Sequence, residues 1–201
     1  MVLLAIDTSN RVLSVALLTE KGAVFSKAQE MERGQGEALI PLIQQLLYDA
    51  QQNVKSITAI AVAVGPGSFT GVRIGLACAK AFGLALNVPV WGVTNLEAEA
   101  YGLSNSITVI LDSKRGDYFV QHFKDGKACD EPHIESSDEL KKALPFTAVG
   151  DAAQNLADTI GCQTKEPIEP VAVAVAKIAL IRKNHPLPAQ PLYLRQADVT
   201  V

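Results

Sequence analysis

The stretch Gly65-Pro66-Gly67-Ser68-Phe69-Thr70-Gly71-Val72-Arg73-Ile74-Gly75 decides how this chain is read. It follows Ile57-Thr58-Ala59-Ile60-Ala61-Val62-Ala63-Val64, an apolar run rich in β-branched residues. It precedes Leu76 to Leu86, which is rich in Ala and Leu. The order is buried strand, glycine turn, helix. In α/β folds ligands and partners gather at such strand ends. Gly65 and Gly67 tolerate positive φ, Pro66 fixes one φ, and Ser68 or Thr70 offers a side-chain oxygen to cap the new helix. The phosphate templates fail here. Both a P-loop and a dinucleotide fingerprint counted from Gly65 need glycine where Thr70 stands, and Gly71 is followed by Val72 rather than lysine. A nucleophile elbow fails too, because Pro66 and Thr70 flank Ser68 where glycines are required. Two readings of the turn remain: a loop that meets an anion or a partner, or a tight turn whose glycines serve packing alone.

Composition narrows the classes outside this turn. The 201 residues carry 48% hydrophobic and 19% charged side chains, a globular composition long enough for one sizeable core or two small lobes. A net charge of −3 without a basic cluster argues against holding nucleic acid unaided. Cys78, Cys129 and Cys162 are odd in number and widely spaced, which suits buried thiols in a reducing cytoplasm. Met1 to Ile6 is apolar but too short for a signal peptide, and Val171 to Ile181 is too short to span a bilayer.

The pattern of elements repeats. Val2 to Ile6 reads as a buried strand ending at Asp7-Thr8-Ser9-Asn10, Val12 to Leu18 as a second strand, and Gly22 to Lys27 as the start of a third. Leu39, Leu42, Ile43, Leu46, Leu47 and Ala50 recur at helical spacing, predicting a helix over 37–52 with Pro41 in its first turn. Pro89 to Gly92 is a short strand, and Thr94 caps a helix to Tyr101. Ile107 to Leu111 is then a new apolar strand, ending at Asp112-Ser113-Lys114-Arg115-Gly116, with Asp117 to Phe123 returning. Strand, Asp, polar turn, strand occurs twice at a spacing of about a hundred residues, either a faint duplication or chance. The predicted fold class is α/β in two lobes, 1–102 and 103–201, the second reduced. A helix at 171–183 is free to pack back on the first lobe, and Pro191 to Arg195 is an extended tail.

Candidate chemistry is sparse. Asp7 and Asp112 at two strand ends either hold magnesium with a nucleotide or close their own turns. His122, His133 and His185 show no H-x-x-x-H pairing, so no metal is assigned to them. No serine stands at an elbow, which disfavours a peptidase. Arg73 falls in the first turn of its helix, where the dipole disfavours a cation, and it either pairs locally or reaches a partner. Ala77, Cys78, Ala79, Ala81, Gly83 and Ala85 make that helix unusually small-sided. Such a face packs closely on a sheet or on a helix of a second chain.

The residues Asp7-Thr8-Ser9, Gly65 to Gly75, Asp112-Ser113-Lys114-Arg115-Gly116 before Tyr118, and Leu192-Tyr193-Leu194-Arg195 resemble, in order and over nearly the full chain, the TsaB (YeaZ) family. The resemblance implies the two-lobed actin/hexokinase/Hsp70-like (ASKHA) fold built from duplicated ribonuclease-H-like lobes. It implies a non-catalytic cytoplasmic subunit in tRNA threonylcarbamoyladenosine synthesis, which docks onto and activates the catalytic paralogue TsaD, helps recruit the ATPase TsaE, and forms a homodimer when alone. By resemblance the interface is the two first-lobe helices, carried by Leu39, Leu42, Ile43, Leu46, Arg73, Ile74, Ala77, Cys78 and Ala81. Asp7, Thr8, Ser9 and Asp112 would be a vestigial nucleotide cleft, and Gly65, Gly67, Ser68, Thr70 and Gly71 a structural turn. The metal-binding histidines of TsaD-like proteins have no counterpart in Gly34-Gln35-Gly36-Glu37-Ala38-Leu39. No cofactor of its own is implied, with ATP or ADP reserved for the interface of the complex. Likewise tRNA is reached only through the complex, and no membrane is involved. An ATP-dependent kinase or ATPase of the same fold is the alternative.

Overall fold

A computed structural model describes residues 1–195. The first half runs β1 (Leu3–Asp7), β2 (Val12–Leu18), β3 (Val24–Glu30), α1 (Gln35–Asp49), β4 (Ala59–Ala63), α2 (Phe69–Leu86), β5 (Val90–Val93) and α3 (Asn95–Ala100). The second runs β6 (Ser106–Asp112), β7 (Tyr118–Lys124), β8 (Lys127–Ala128), β9 (His133–Glu135), α4 (Ser137–Lys142), β10 (Thr147–Val149), α5 (Ala153–Ile160), β11 (Gln163–Thr164), α6 (Val171–Ile181) and β12 (Leu187–Pro188).

These strands form two sheets of the same design. In the first, the order is β12-β5-β4-β1-β2-β3, with β1 antiparallel to β2, β2 antiparallel to β3, and β4 and β5 parallel to β1. In the second, β11-β10-β6-β7 repeats that order and polarity, and β8 and β9 share the place of β3. The duplication read from the two strand–Asp–turn segments is therefore a duplication of topology. β1 and β4 are buried on both sides and carry unbroken apolar runs, as central parallel strands require. β3 is an edge strand, mostly exposed and bearing Lys27 and Glu30, which blunts edge pairing.

The two faces of the first sheet are packed differently. One bears α1 and α2, with Leu4, Ile6, Leu13, Val15 and Leu17 interlocking with Leu39, Ile43, Leu46, Val72 and Leu76. The other bears α6, and that layer is built of alanines: Ala5, Ala16, Ala61 and Ala63 against Ala172, Ala176 and Ala179. Small side chains on both surfaces bring helix and sheet together closely. α6 and β12 thus lie with the first sheet although they follow the second in sequence.

Boundaries differ from expectation in two instructive places. α1 starts at Gln35 behind Gly34, which sits at φ 93 and supplies no side-chain cap. Pro41 therefore falls in the second turn rather than the first, on the exposed side of the helix. β12 contains a proline and pairs along an edge, where an absent N–H costs little. α2 is long and apolar enough to cross a membrane by length and composition. Its Gly71, Val72, Gly75, Leu76, Ala79 and Gly83 are instead buried against the sheet.

Candidate functional site

Each sheet ends its first strand in an aspartate, and the two ends face a cleft between the lobes, but the two aspartates have different fates. Asp7 is buried. Its Oδ1 accepts from the Ser9 backbone N–H at 2.9 Å and the Ser9 hydroxyl at 2.6 Å, with Asn95 Nδ2 at 3.4 Å. Asn95 also donates to Ser9 Oγ at 2.6 Å, and its Oδ1 accepts from the Gly65 N–H at 2.9 Å. A capping box between Thr94 and Glu97 starts α3 and fixes Asn95 in place. The carboxylate therefore ties β1, the glycine turn and α3 together. Burial raises its pKa, against the opposing hydrogen bonds of Ser9 and Asn95. Asp7 does not line the cleft, which corrects the expectation of a carboxylate pair there.

The glycine turn is a packing device against that same strand end. A Cβ on Gly71 would lie 2.1 Å from the Thr8 carbonyl oxygen, one on Gly75 2.6 Å from Thr8 Oγ1, and one on Gly67 2.8 Å from the Ser9 carbonyl oxygen. Thr8 Oγ1 donates to the Gly71 carbonyl at 2.6 Å, and Ser68 N–H donates to the Ser9 carbonyl at 2.8 Å. Ser68, not Thr70, caps α2 by accepting from the Gly71 N–H. Only Gly65 uses positive φ, at 99°; Gly67 does not. The same device recurs in the second lobe, where a Cβ on Gly150 would meet the Ile110 carbonyl oxygen at 2.5 Å.

The cleft encloses about 690 Å³. Its first-lobe wall is Ser9, Asn10, Gly67, Ser68 and Thr70; its second-lobe wall is Asp112, Ser113, Lys114 and Asp151. Asp112 is among the lining residues. Burial works to raise the Asp112 pKa, but hydrogen bonds and charge from Lys114 outweigh that and hold it below the usual range. Asp151 accepts from the Asp112 N–H at 2.9 Å and is pushed up mainly by burial. Behind the cleft, Glu99 on α3 is driven up to about 8 by burial, then by the charges of Asp151, Asp7 and Glu166.

The tail from Leu192 to Arg195 forms a further wall and joins the lobes. Leu192 N–H donates to the Val64 carbonyl at 2.8 Å. Tyr193 OH accepts from Arg73 Nε at 2.8 Å, while the Arg73 guanidinium lies 3.6 Å over the Phe69 ring. Arg195 pairs with Asp117 in the second lobe. Arg73 is thus engaged with its own chain. α2 starts at Phe69, so Arg73 falls in its second turn rather than the first, beyond the reach of most of the dipole penalty, and its cation–π contact and hydrogen bond hold it locally.

The helical face expected to meet a partner needs correction. Leu39, Leu42, Ile43 and Leu46 are buried under the first sheet and belong to its core. Ile74 and Cys78 are half-buried, and burial pushes the Cys78 thiol up to about 11. Ala77 and Ala81 are exposed. The outward face instead carries Ile40, Tyr48 and Leu84, which are 43%, 83% and 87% exposed. α1 and α2 lie side by side, with Gly36 against Ile74. Periodicity found the stripe facing the sheet, which is the stronger one. The weaker outward signal was Ile40 and Tyr48, eight residues apart on one face of α1.

Two sheets of one topology around a cleft, joined by a helix at their strand ends, define the actin/hexokinase/Hsp70-like class. A solved structure of an inorganic polyphosphate/ATP-glucomannokinase from Arthrobacter shares this fold, at 13% identity and TM-score 0.51 over 92% of this chain and 99% of that one. A structure described as YeaZ from Pseudomonas aeruginosa superposes with TM-score 0.79 at 24% identity, over 96% of this chain and 99% of that one. A family model described as "TsaD: tRNA N6-adenosine threonylcarbamoyltransferase" matches residues 29–184. The "tRNA threonylcarbamoyladenosine biosynthesis protein TsaB" of Escherichia coli is 32% identical over 77% of this chain and 67% of its own length. That of Bacillus subtilis is 34% identical over 63% and 57%. The chain belongs to the TsaB (YeaZ) family. It spans little more than half the length of some of the curated relatives it matches, the Bacillus protein among them.

Proposed function

We propose that this protein is a non-catalytic, cytoplasmic subunit of the machinery that makes threonylcarbamoyladenosine in tRNA, acting by docking onto a TsaD-like catalytic subunit. The single observation that carries the reading is the outward face of α1 and α2. There Ile40 and Tyr48 stand exposed on α1, and Leu84 stands exposed with the small Ala77 and Ala81 on α2. Large apolar side chains next to small ones provide knobs and space for close helix contact, and an exposed apolar patch marks an interaction surface. The names of its TsaB relatives support the pathway. The same face serves a homodimer when the subunit is alone, and a TsaE-like ATPase joins the complex.

Catalysis falls to the partner. Asp7 is sealed behind Ser9 and Asn95, and the glycines that would admit phosphate to the turn are filled by Thr8 and Ser9. The alternative, an ATPase or kinase of this fold, draws on the cleft with Asp112, Lys114 and Asp151, and a nucleotide there belongs to the assembled complex. Reconstituted tRNA modification with and without this chain tests the proposal: modification should depend on its presence, and undiminished modification without it refutes the role. Micromolar binding of magnesium-ATP to the isolated chain, measured by calorimetry, would favour the alternative.

A further inference from the structure

His122 and His133, which no spacing rule pairs, meet in the second sheet. β7 and β9 are antiparallel with Val120 opposite His133, so His122, two residues on, shares its face. Their rings stack with centroids 5.8 Å apart. Between the ends of β8 and β9 the chain bulges, and the Asp130 side chain takes the place of a strand carbonyl: its Oδ1 accepts from the His122 N–H at 2.8 Å. That leaves Oδ2 directed at the imidazoles, 2.6 Å from His122 Nδ1 and 3.7 Å from His133 Nδ1. The Glu131 carbonyl oxygen lies 2.9 Å from His133 Nδ1.

We propose that His122 Nδ1, Asp130 Oδ2 and His133 Nδ1, with the Glu131 carbonyl as fourth donor, form a site for a divalent transition metal of the zinc type. The three side-chain donors lie within 4.8 Å of one another. Donors bonded at about 2.0–2.2 Å in a tetrahedral zinc site stand roughly 3.3 Å apart, so modest side-chain rotation closes the shell. Two imidazole nitrogens with carboxylate and carbonyl oxygen suit zinc, nickel or copper, whereas magnesium and calcium favour an all-oxygen set. The outer shell is also in place. Glu135 Oε1 is 2.9 Å from His133 Nε2, the carboxylate–histidine arrangement that orients a ligand imidazole. Gln121 Nε2 donates to the Asp130 carbonyl at 2.8 Å and steadies the bulge. The three ligand side chains are 33–40% exposed, so an ion enters without unfolding the sheet. The site lies on the far edge of the second lobe and is independent of the role proposed for α1 and α2.

The test uses the full chain, freed of any purification tag and stripped with chelator, titrated with zinc alone by calorimetry and with cobalt by absorption. One ion per chain is expected, with the strong visible bands of tetrahedral nitrogen–oxygen cobalt. His122→Gln and His133→Gln should each weaken binding about 10-fold or more, and Glu135→Gln should weaken it measurably, as loss of an orienting partner does. Cys129→Ser should leave it unchanged. Circular dichroism of each variant confirms the fold, and Asp130→Asn serves if a histidine variant fails to fold. No saturable binding at about 100 µM zinc, a constant weaker than the range expected of a built site, overturns the proposal. So does cobalt–thiolate charge transfer abolished by Cys129→Ser, or binding that survives loss of both histidines.

Discussion

At Gly71 a single added methyl group would sit 2.1 Å from a backbone oxygen of Thr8, which no rotamer can relieve. Gly71→Ala must therefore separate α2 from the end of β1. Overpacking of this kind costs about 1–3 kcal/mol or more, read as a lower urea midpoint; an unchanged midpoint would mean the contact is loose. Glu99 offers a pH signature. Its folded pKa of about 8 stands above the ordinary glutamate value of about 4.5, so between these pH values the folded state holds a proton that the unfolded state releases. Stability from this group is then highest below pH 4.5, falls as pH rises through the window, and levels off above 8. Glu99→Gln should flatten that part of the profile and leave the variant more stable than the native chain at pH 8, as chemical denaturation across the range would reveal. The turn at Gly65 and a cap at Ser68 or Thr70 were legible, because those roles follow from local backbone chemistry, whereas Gly71, read as part of the turn, lies inside α2. The destination of Asp7 was not legible, since Asn95 reaches it from 88 positions away.

α2 shows how an element can carry two messages. Its buried side, Val72, Leu76 and Ala79, is a core stripe, and its exposed side, Ala77, Ala81 and Leu84, has no occupant among the described residues. Because Ala81 is exposed, Ala81→Arg should fold with native stability. The same charge placed in a close helix contact should weaken self-association at least about 10-fold, the size of effect interface anchors carry; equilibrium sedimentation at several concentrations measures it. The opposite layer makes the contrast. Ala176 is buried among alanines of the sheet, so Ala176→Leu has no room and should lose about 1–3 kcal/mol in thermal or urea unfolding. Element types were readable from periodicity wherever runs were long, as in β2 and α6. Two-residue strands such as β8, β11 and β12 carry no period and exist only through their partners. The outward stripe on α1 stayed hidden because Leu39, Leu42, Ile43 and Leu46 give a stronger pattern, and that pattern faces the sheet.

For the whole molecule, the duplicated sheets make two lobes; α3 at the strand ends and the tail from Leu192 to Arg195 across the cleft reach both, while α6 packs on the first sheet. Asp117→Asn should loosen the tail while changing overall stability by less than about 1 kcal/mol, as partly exposed ion pairs do. Faster amide exchange at Leu192, with the β1 and β4 amides unaffected, is the expected reading. Chain order alone would assign α6 to the second lobe, and only its alanine match to the first sheet reveals where it packs. The central claim concerns the outward face of α1 and α2. Its most direct test is sedimentation of the native chain and of Ala81→Arg, each mixed with a TsaD-like subunit. The native chain should sediment as a heterodimer and Ala81→Arg, though folded, as separate components. A native chain that stays monomeric beside its partner, or a variant that binds as well as the native protein, would contradict it.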